Sequence, residues 1–155
     1  MMDIKKDLDK NIKQKKLYIT LTVLFGILTL LSIVLFIVFS NYKIQLIMQI
    51  VGSIVSSVLM IVTLSVVFAY LLPTLYMNQY LKELTNAKES KVVGKIEKIK
   101  KELVTARKGI LFIEVEIDSV TYFCSDPEIV SKFSASECRT FIVRDIFIVG
   151  VEDEN

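Results

Sequence analysis

Three groups of side chains in this chain are of types that can do chemistry: a basic stretch within residues 95–108, an aromatic set, and two thiols. The basic stretch comprises Lys95, Lys98, Lys100, Lys101, Arg107 and Lys108. It suits an anionic partner. Lipid headgroups gain about 1 kcal/mol per basic residue near the surface, a free anionic ligand uses the same charges, and a solvated strand face needs no partner at all. No glycine-rich phosphate cradle accompanies it. The aromatics Phe112, Tyr122 and Phe123 follow, and aromatic platforms beside a basic groove hold single-stranded nucleic acid by stacking. Charge argues against that use: residues 91–155 hold ten Lys and Arg against twelve Asp and Glu, whereas nucleic-acid modules are normally net basic.

The thiols, Cys124 and Cys138, form no CxxC pair, and the chain contains no histidine. Imidazole is thereby excluded as a base or metal ligand, and two such cysteines are expected to be reduced core residues. There is no GxSxG, P-loop or HExxH pattern. Glu114 and Glu116 share one strand face and are expected to point to water. The residues therefore predict no enzyme, no catalytic residue, no metal and no cofactor.

The elements that carry these groups are short strands. Leu111, Ile113, Val115 and Ile117 alternate with Phe112, Glu114, Glu116 and Asp118, the period-2 pattern of a half-buried strand. An Asp118-Ser119 turn leads into Val120, Tyr122 and Cys124, which predicts a hairpin. Residues 91–99 read as an earlier strand with Gly94 as a bulge position, and residues 100–109 as its continuation or a loop. Asp126-Pro127-Glu128 provides an N-cap, a first-turn proline and an acid for a short helix. Residues 139–143 and 146–151 complete three strands, a helix and two strands.

Ahead of that domain, residues 17–42 and 44–81 carry no charge. About 20 apolar helical residues cross a bilayer core roughly 30 Å thick, and a remainder of this size could not bury two helices apolar all round. The expected organisation is a basic cytosolic tail at 1–16, a first transmembrane helix at 17–40, an external turn at 41–45 and a second span at 46–72. A juxtamembrane helix follows at 73–90, set off from the span by a break or kink at Pro73, and a cytosolic β-domain occupies 91–155. The lysines at 5, 6, 10, 13, 15 and 16 place both termini in the cytosol by the positive-inside rule, with Tyr70, Tyr76 and Tyr80 at the inner interface. In the second span Gly52, Ser53, Ser56 and Ser57 give two small-xxx-small pairs. They mark either a homo-oligomer seam or packing against the first span. Neither span holds an ionisable group, which disfavours coupled transport.

The order of strands and helix resembles a compact five-stranded OB-type barrel, with an SH3-like barrel as the alternative; closure disposes of exposed sheet edges. The whole is similar to small bacterial inner-membrane proteins that carry a membrane-proximal β-barrel, the NfeD-like proteins among them. That similarity rests on Val92-Val93-Gly94, the hairpin in residues 110–124 and the closing segment 141–151. It implies a multi-pass cell-membrane protein with both termini cytosolic, in contact with lipid and built for protein–protein interaction. Three functions are open: a membrane-anchored adaptor whose barrel binds a protein partner or self-associates, an oligomeric pore-forming or ligand-sensing effector, as in bacterial defence, and a membrane-tethered nucleic-acid binder. A small-molecule ligand is compatible with the second.

Overall fold

Asp3 begins the first helix: its carboxylate accepts a hydrogen bond from Lys6 N at 3.1 Å, and Asp7 adds a negative charge to the positive end of the helix dipole. In the computed structural model, which describes residues 3–40, 46–107, 109–131, 133 and 138–152, helix α1 therefore runs Ile4–Ser40. Residues 4–16 are helix, where a tail was expected. The signal was present in the sequence. Ile4, Leu8 and Asn11 recur at helical spacing, and Asp9 precedes Lys13 by one turn.

Helix α2, Leu46–Val66, passes through one π turn, Val67–Leu71, into α3, Leu72–Asn86. Of the break or kink expected at Pro73, the break does not occur; the irregularity takes the form of that π turn. A proline ring clashes with the carbonyl four residues back and offers no N–H. The wider turn, in which Leu72 N–H reaches Val67 O, absorbs that conflict without ending the helix. The external turn expected at 41–45 lies outside the described residues.

The chain divides into two compact units, residues 12–75 and residues 1–11 with 76–155. In the first, two helices long and apolar enough to cross a membrane lie side by side. Hydroxyls and a glycine meet across them. Thr29 Oγ1 lies 3.1 Å from Thr63 Oγ1, Ser32 Oγ 3.1 Å from Ser56 Oγ, and the ring of Phe36 covers Gly52. Tyr18 stacks on Tyr70 with ring centroids 5.5 Å apart. Large apolar side chains such as Leu30 and Ile61 face outward, 66% and 63% exposed.

The second unit is built on strand β1, Glu89–Arg107, followed by β2 Ile110–Ile117, β3 Val120–Cys124, helix α4 Pro127–Ser131, β4 Cys138–Arg144 and β5 Phe147–Glu152. Residues 100–107 thus continue the first strand. The sheet closes in the order β1-β2-β3-β5-β4, with β1 pairing β4 through its first half and β2 through its second. Extra residues in β1, around Lys98, between Lys100 and Leu103 and again before Arg107, let one strand coil far enough to serve both neighbours. β3 meets β5 in parallel at Phe123 and Phe147, whereas every other pairing is antiparallel.

Turn chemistry agrees with the sequence. Asp118 and Ser119 both take positive φ, as a two-residue type I′ hairpin demands, and Asp145 does so between β4 and β5. Asp126 accepts from Glu128 N at 2.9 Å and starts α4 as expected. Gly94 is no bulge. It pairs in register with Arg139, and a Cβ there would lie 2.5 Å from Asp118 Oδ2 and 2.6 Å from Ile117 Cγ2, so glycine admits the β2–β3 turn.

Two apolar clusters fill this unit. One, inside the closed sheet, contains Ile96, Val115, Ile117, Cys124, Phe141, Val143 and Ile148, with Ile129 and Phe133 of the α4 region closing one end. The other gathers Ile110, Phe112, Ile142, Phe147 and Val149 under Tyr80, Leu81 and Leu84 of α3 and Ile4 of α1.

Candidate interaction surface

The second cluster is where most of the chemically distinctive side chains converge, and α3 positions them. Tyr80, Leu81 and Leu84 fall on one helix face, and each is only 2% exposed. Tyr80 packs edge-on against Phe112 and Phe147 at centroid distances of 5.3 and 5.2 Å, and Phe123 stands 6.3 Å from both phenylalanines. The Tyr80 hydroxyl is 3.4 Å from Ser125 Oγ. Burial outweighs that contact and pushes its pKa up to about 12. Burial likewise lifts the Cys124 thiol to about 11. Both groups stay protonated at neutral pH, so neither is an activated nucleophile or base.

Charged groups frame this surface. Arg144 Nη1 donates to Leu84 O at 2.7 Å, holding one of the last carbonyls of α3, and Nη2 donates to Glu89 at 3.0 Å. Arg107 pairs with Glu83 at 2.9 Å and lies 5.8 Å above the Phe147 ring. Gly109, with φ of 75°, approaches Tyr76 so closely that a Cβ would fall 2.1 Å from its ring.

The basic stretch does not converge. Lys95 and Lys98 are exposed on β1. Lys100 pairs with Glu114 at 2.5 Å, a hydrogen bond that raises its pKa, and Arg107 is held by Glu83. Exposed pairs of this kind contribute little to stability. They do reduce the charge offered to an anion. Lys108 and the side chain of Lys101 lie outside the described part of the structure.

The aromatic face also divides. Phe112 is fully buried rather than outward-facing, because β2 changes the face it buries along its length: Ile110 and Phe112 point inward at one end, Val115 and Ile117 at the other. Leu111, expected inside, is 55% exposed for the same reason. Tyr122 packs against the sheet interior and Phe123 against the α3-covered cluster, so the three rings form no common platform. Tyr80, expected at a membrane interface, is instead the centre of the covered cluster. Its spacing from Leu84 was the available signal. Cys124 is buried as expected and Cys138 is exposed. Glu114 and Glu116 are half-buried, Glu114 on its lysine partner.

In the helical unit Gly52 and Ser56 are taken up by α1 of the same chain, while Ser53 and Ser57 remain exposed. The four residues therefore do not share one seam. Comparison with known proteins returns no matching family model, no matching curated protein and no matching solved structure.

Proposed function

We propose that this protein is a membrane-anchored adaptor, its helical hairpin held in the bilayer and its closed β-domain presented at the cytosolic face to bind a protein partner or assemble with further copies. One observation carries the anchoring: the two helices turn Thr29, Ser32, Ser56 and Thr63 toward each other and large apolar side chains outward, an inversion that hydrocarbon accommodates and water does not. The strand order, with β3 parallel to β5 and a helix between β3 and β4, supports the OB-type reading over the SH3-like one. Adaptor function rests on an interaction-sized domain whose perturbed groups, Tyr80 and Cys124, are driven away from reactivity. The test is affinity capture from detergent-solubilised membranes with size-exclusion and light scattering. A defined partner or oligomer is expected, and a chain that stays monomeric and alone abandons the reading.

A second reading, an oligomeric pore, draws on Ser53 and Ser57, which leave two hydroxyls on a face of α2 that α1 does not cover. Liposome conductance of the purified protein separates the two. Leak that disappears in a Ser53→Leu/Ser57→Leu variant supports the pore; intact vesicles with or without nucleotides remove it.

A further inference from the structure

The layer formed by residues 76–86 of α3 and 4–11 of α1 differs from the sheet interior beneath it. Among the described residues, the buried side-chain polar atoms without a hydrogen-bond partner are Asn11 Oδ1, Asn78 Nδ2 and Arg144 Nε. All three belong to this layer or to its contact with the sheet: Asn11 on α1, Asn78 on α3, and Arg144 where it holds Leu84 O. Asn11 and Asn78 are 8% and 5% exposed, so solvent does not compensate them. Open clefts border the layer on two sides. A cavity of about 470 Å³ opens between Asp3, Lys5, Thr85, Glu89 and Arg144, and one of about 210 Å³ between Tyr76, Gln79, Glu83 and Arg107. The interior cluster of Ile96, Val115, Phe141 and Val143 has its own closure at α4 and contributes none of these three atoms.

We propose that residues 76–86 of α3 form a displaceable plug, and that the surface it covers, centred on Phe112, Phe123 and Phe147, is the docking site for an amphipathic helix of a protein partner. The occupant follows from the resident: the surface already accepts a helix through an aromatic–Leu–x–x–Leu face, Tyr80, Leu81 and Leu84. The unpaired Asn78 Nδ2 weakens the resident's hold, while the aromatic surface rewards any helix that repeats its apolar face without it. The inference rests on the adaptor reading for its partner, but the plug itself is tested without one.

Hydrogen exchange on the full chain in lipid nanodiscs is the first measurement. Amides of residues 80–85 are expected to exchange at least tenfold faster than those of β2 and β4, and Asn78→Leu is expected to slow them by about tenfold. Equal protection of helix and strands, or an unchanged rate in Asn78→Leu, overturns the plug. A fluorescein-labelled peptide of residues 74–88 is the second. It is expected to bind full-length Leu81→Asp/Leu84→Asp at least tenfold more tightly than the unaltered chain. Should that variant lose β2 and β4 protection, the exchange data on the unaltered chain decide. Absence of peptide binding to a variant whose strands remain protected overturns the docking site, as does preference for a single-stranded oligonucleotide over the peptide. If the plug opens and the peptide binds but no cellular partner is captured, the adaptor reading fails and the plug stands.

Discussion

The two units solve the same chemical problem in opposite senses. In the β-domain Phe112, Val115 and Phe141 are withdrawn completely and Lys95, Lys98 and Glu97 face out. In the helical unit Leu30, Val34 and Ile61 face out, and Thr29, Ser32, Ser56 and Thr63 turn inward. One polypeptide thus carries two opposite polarity arrangements. In water, apolar burial drives folding at about 25 cal/mol per Å². Between helices in hydrocarbon that force is absent, and close packing with hydroxyl contacts takes its place.

The largest expected effect breaks the comparison at its sharpest point. Phe112→Ala removes a fully buried ring that contacts Tyr80, Phe123 and Phe147, and should destabilise the β-domain by about 3–5 kcal/mol. Leu30→Ala removes a side chain of comparable hydrophobicity that faces outward, and should change the stability of the helical hairpin in bilayers by less than about 0.5 kcal/mol. Chemical denaturation followed by near-ultraviolet circular dichroism reads the first, and steric-trap unfolding in bicelles reads the second. Similar losses at the two sites would mean that both helices fold under water's rules.

A charge sharpens the same point from the other side. Ile61→Lys at an exposed helix position should be nearly neutral if water surrounds it, and should cost about 2.5–3.5 kcal/mol if hydrocarbon does. Glycosylation-mapped insertion measures this directly. Efficient insertion of the lysine variant would oppose a span at that position.

How far these arrangements were legible in the sequence differs between the units. The charge-free runs gave the helices, because uniform apolarity needs no partner to interpret it. The five strands, the α4 cap and the Asp118-Ser119 turn were also readable, since each depends on local chemistry. The departures from the expected pattern share one cause. Tyr80 lies in the covered cluster rather than at an interface, Phe112 faces inward and Leu111 outward because α3 covers the sheet from the chain segment before it, and β1 carries three irregularities that let β2 change faces. Period-2 reading assumes a regular ladder and one cover. The helical start at Ile4 was missed because six lysines read as solvation, although Ile4 and Leu8 already marked a buried stripe.

Alkaline titration, with a smaller effect, probes the covered cluster through Tyr80 and the sheet interior through Cys124. Tyr80 and Cys124 have folded pKa values raised by burial to about 12 and about 11, above the unfolded values of 10.0 and 9.0. A raised pKa means the folded state holds its proton more tightly. The stability each contributes is therefore complete below the unfolded value and is lost as pH rises toward the folded one. The unfolding free energy of the β-domain should fall between about pH 9 and 12, by an amount on the order of 2 kcal/mol per group, and the denaturation midpoint with it. Tyr80→Phe should remove the upper part of that fall. A midpoint independent of pH across this range would place Tyr80 outside the covered cluster.

The smallest effect tests the inverted unit on its own terms. Ser32 and Ser56 approach within 3.1 Å, but in hydrocarbon the separated helices also find hydrogen-bond partners in their own carbonyls, as Ser32 does at Thr29 O. The net worth of the contact is therefore small, about 0.6 kcal/mol by analogy with other interhelical hydroxyl pairs. A double-mutant cycle of Ser32→Ala and Ser56→Ala in bicelles should return a coupling of that size. Ser53→Ala, on the face away from α1, should couple to Ser32→Ala by nothing measurable. Coupling at Ser53 and none at Ser56 would turn α2 about its axis by roughly one residue, making the Gly52 and Ser56 pair the outward one and giving the seam to a second copy.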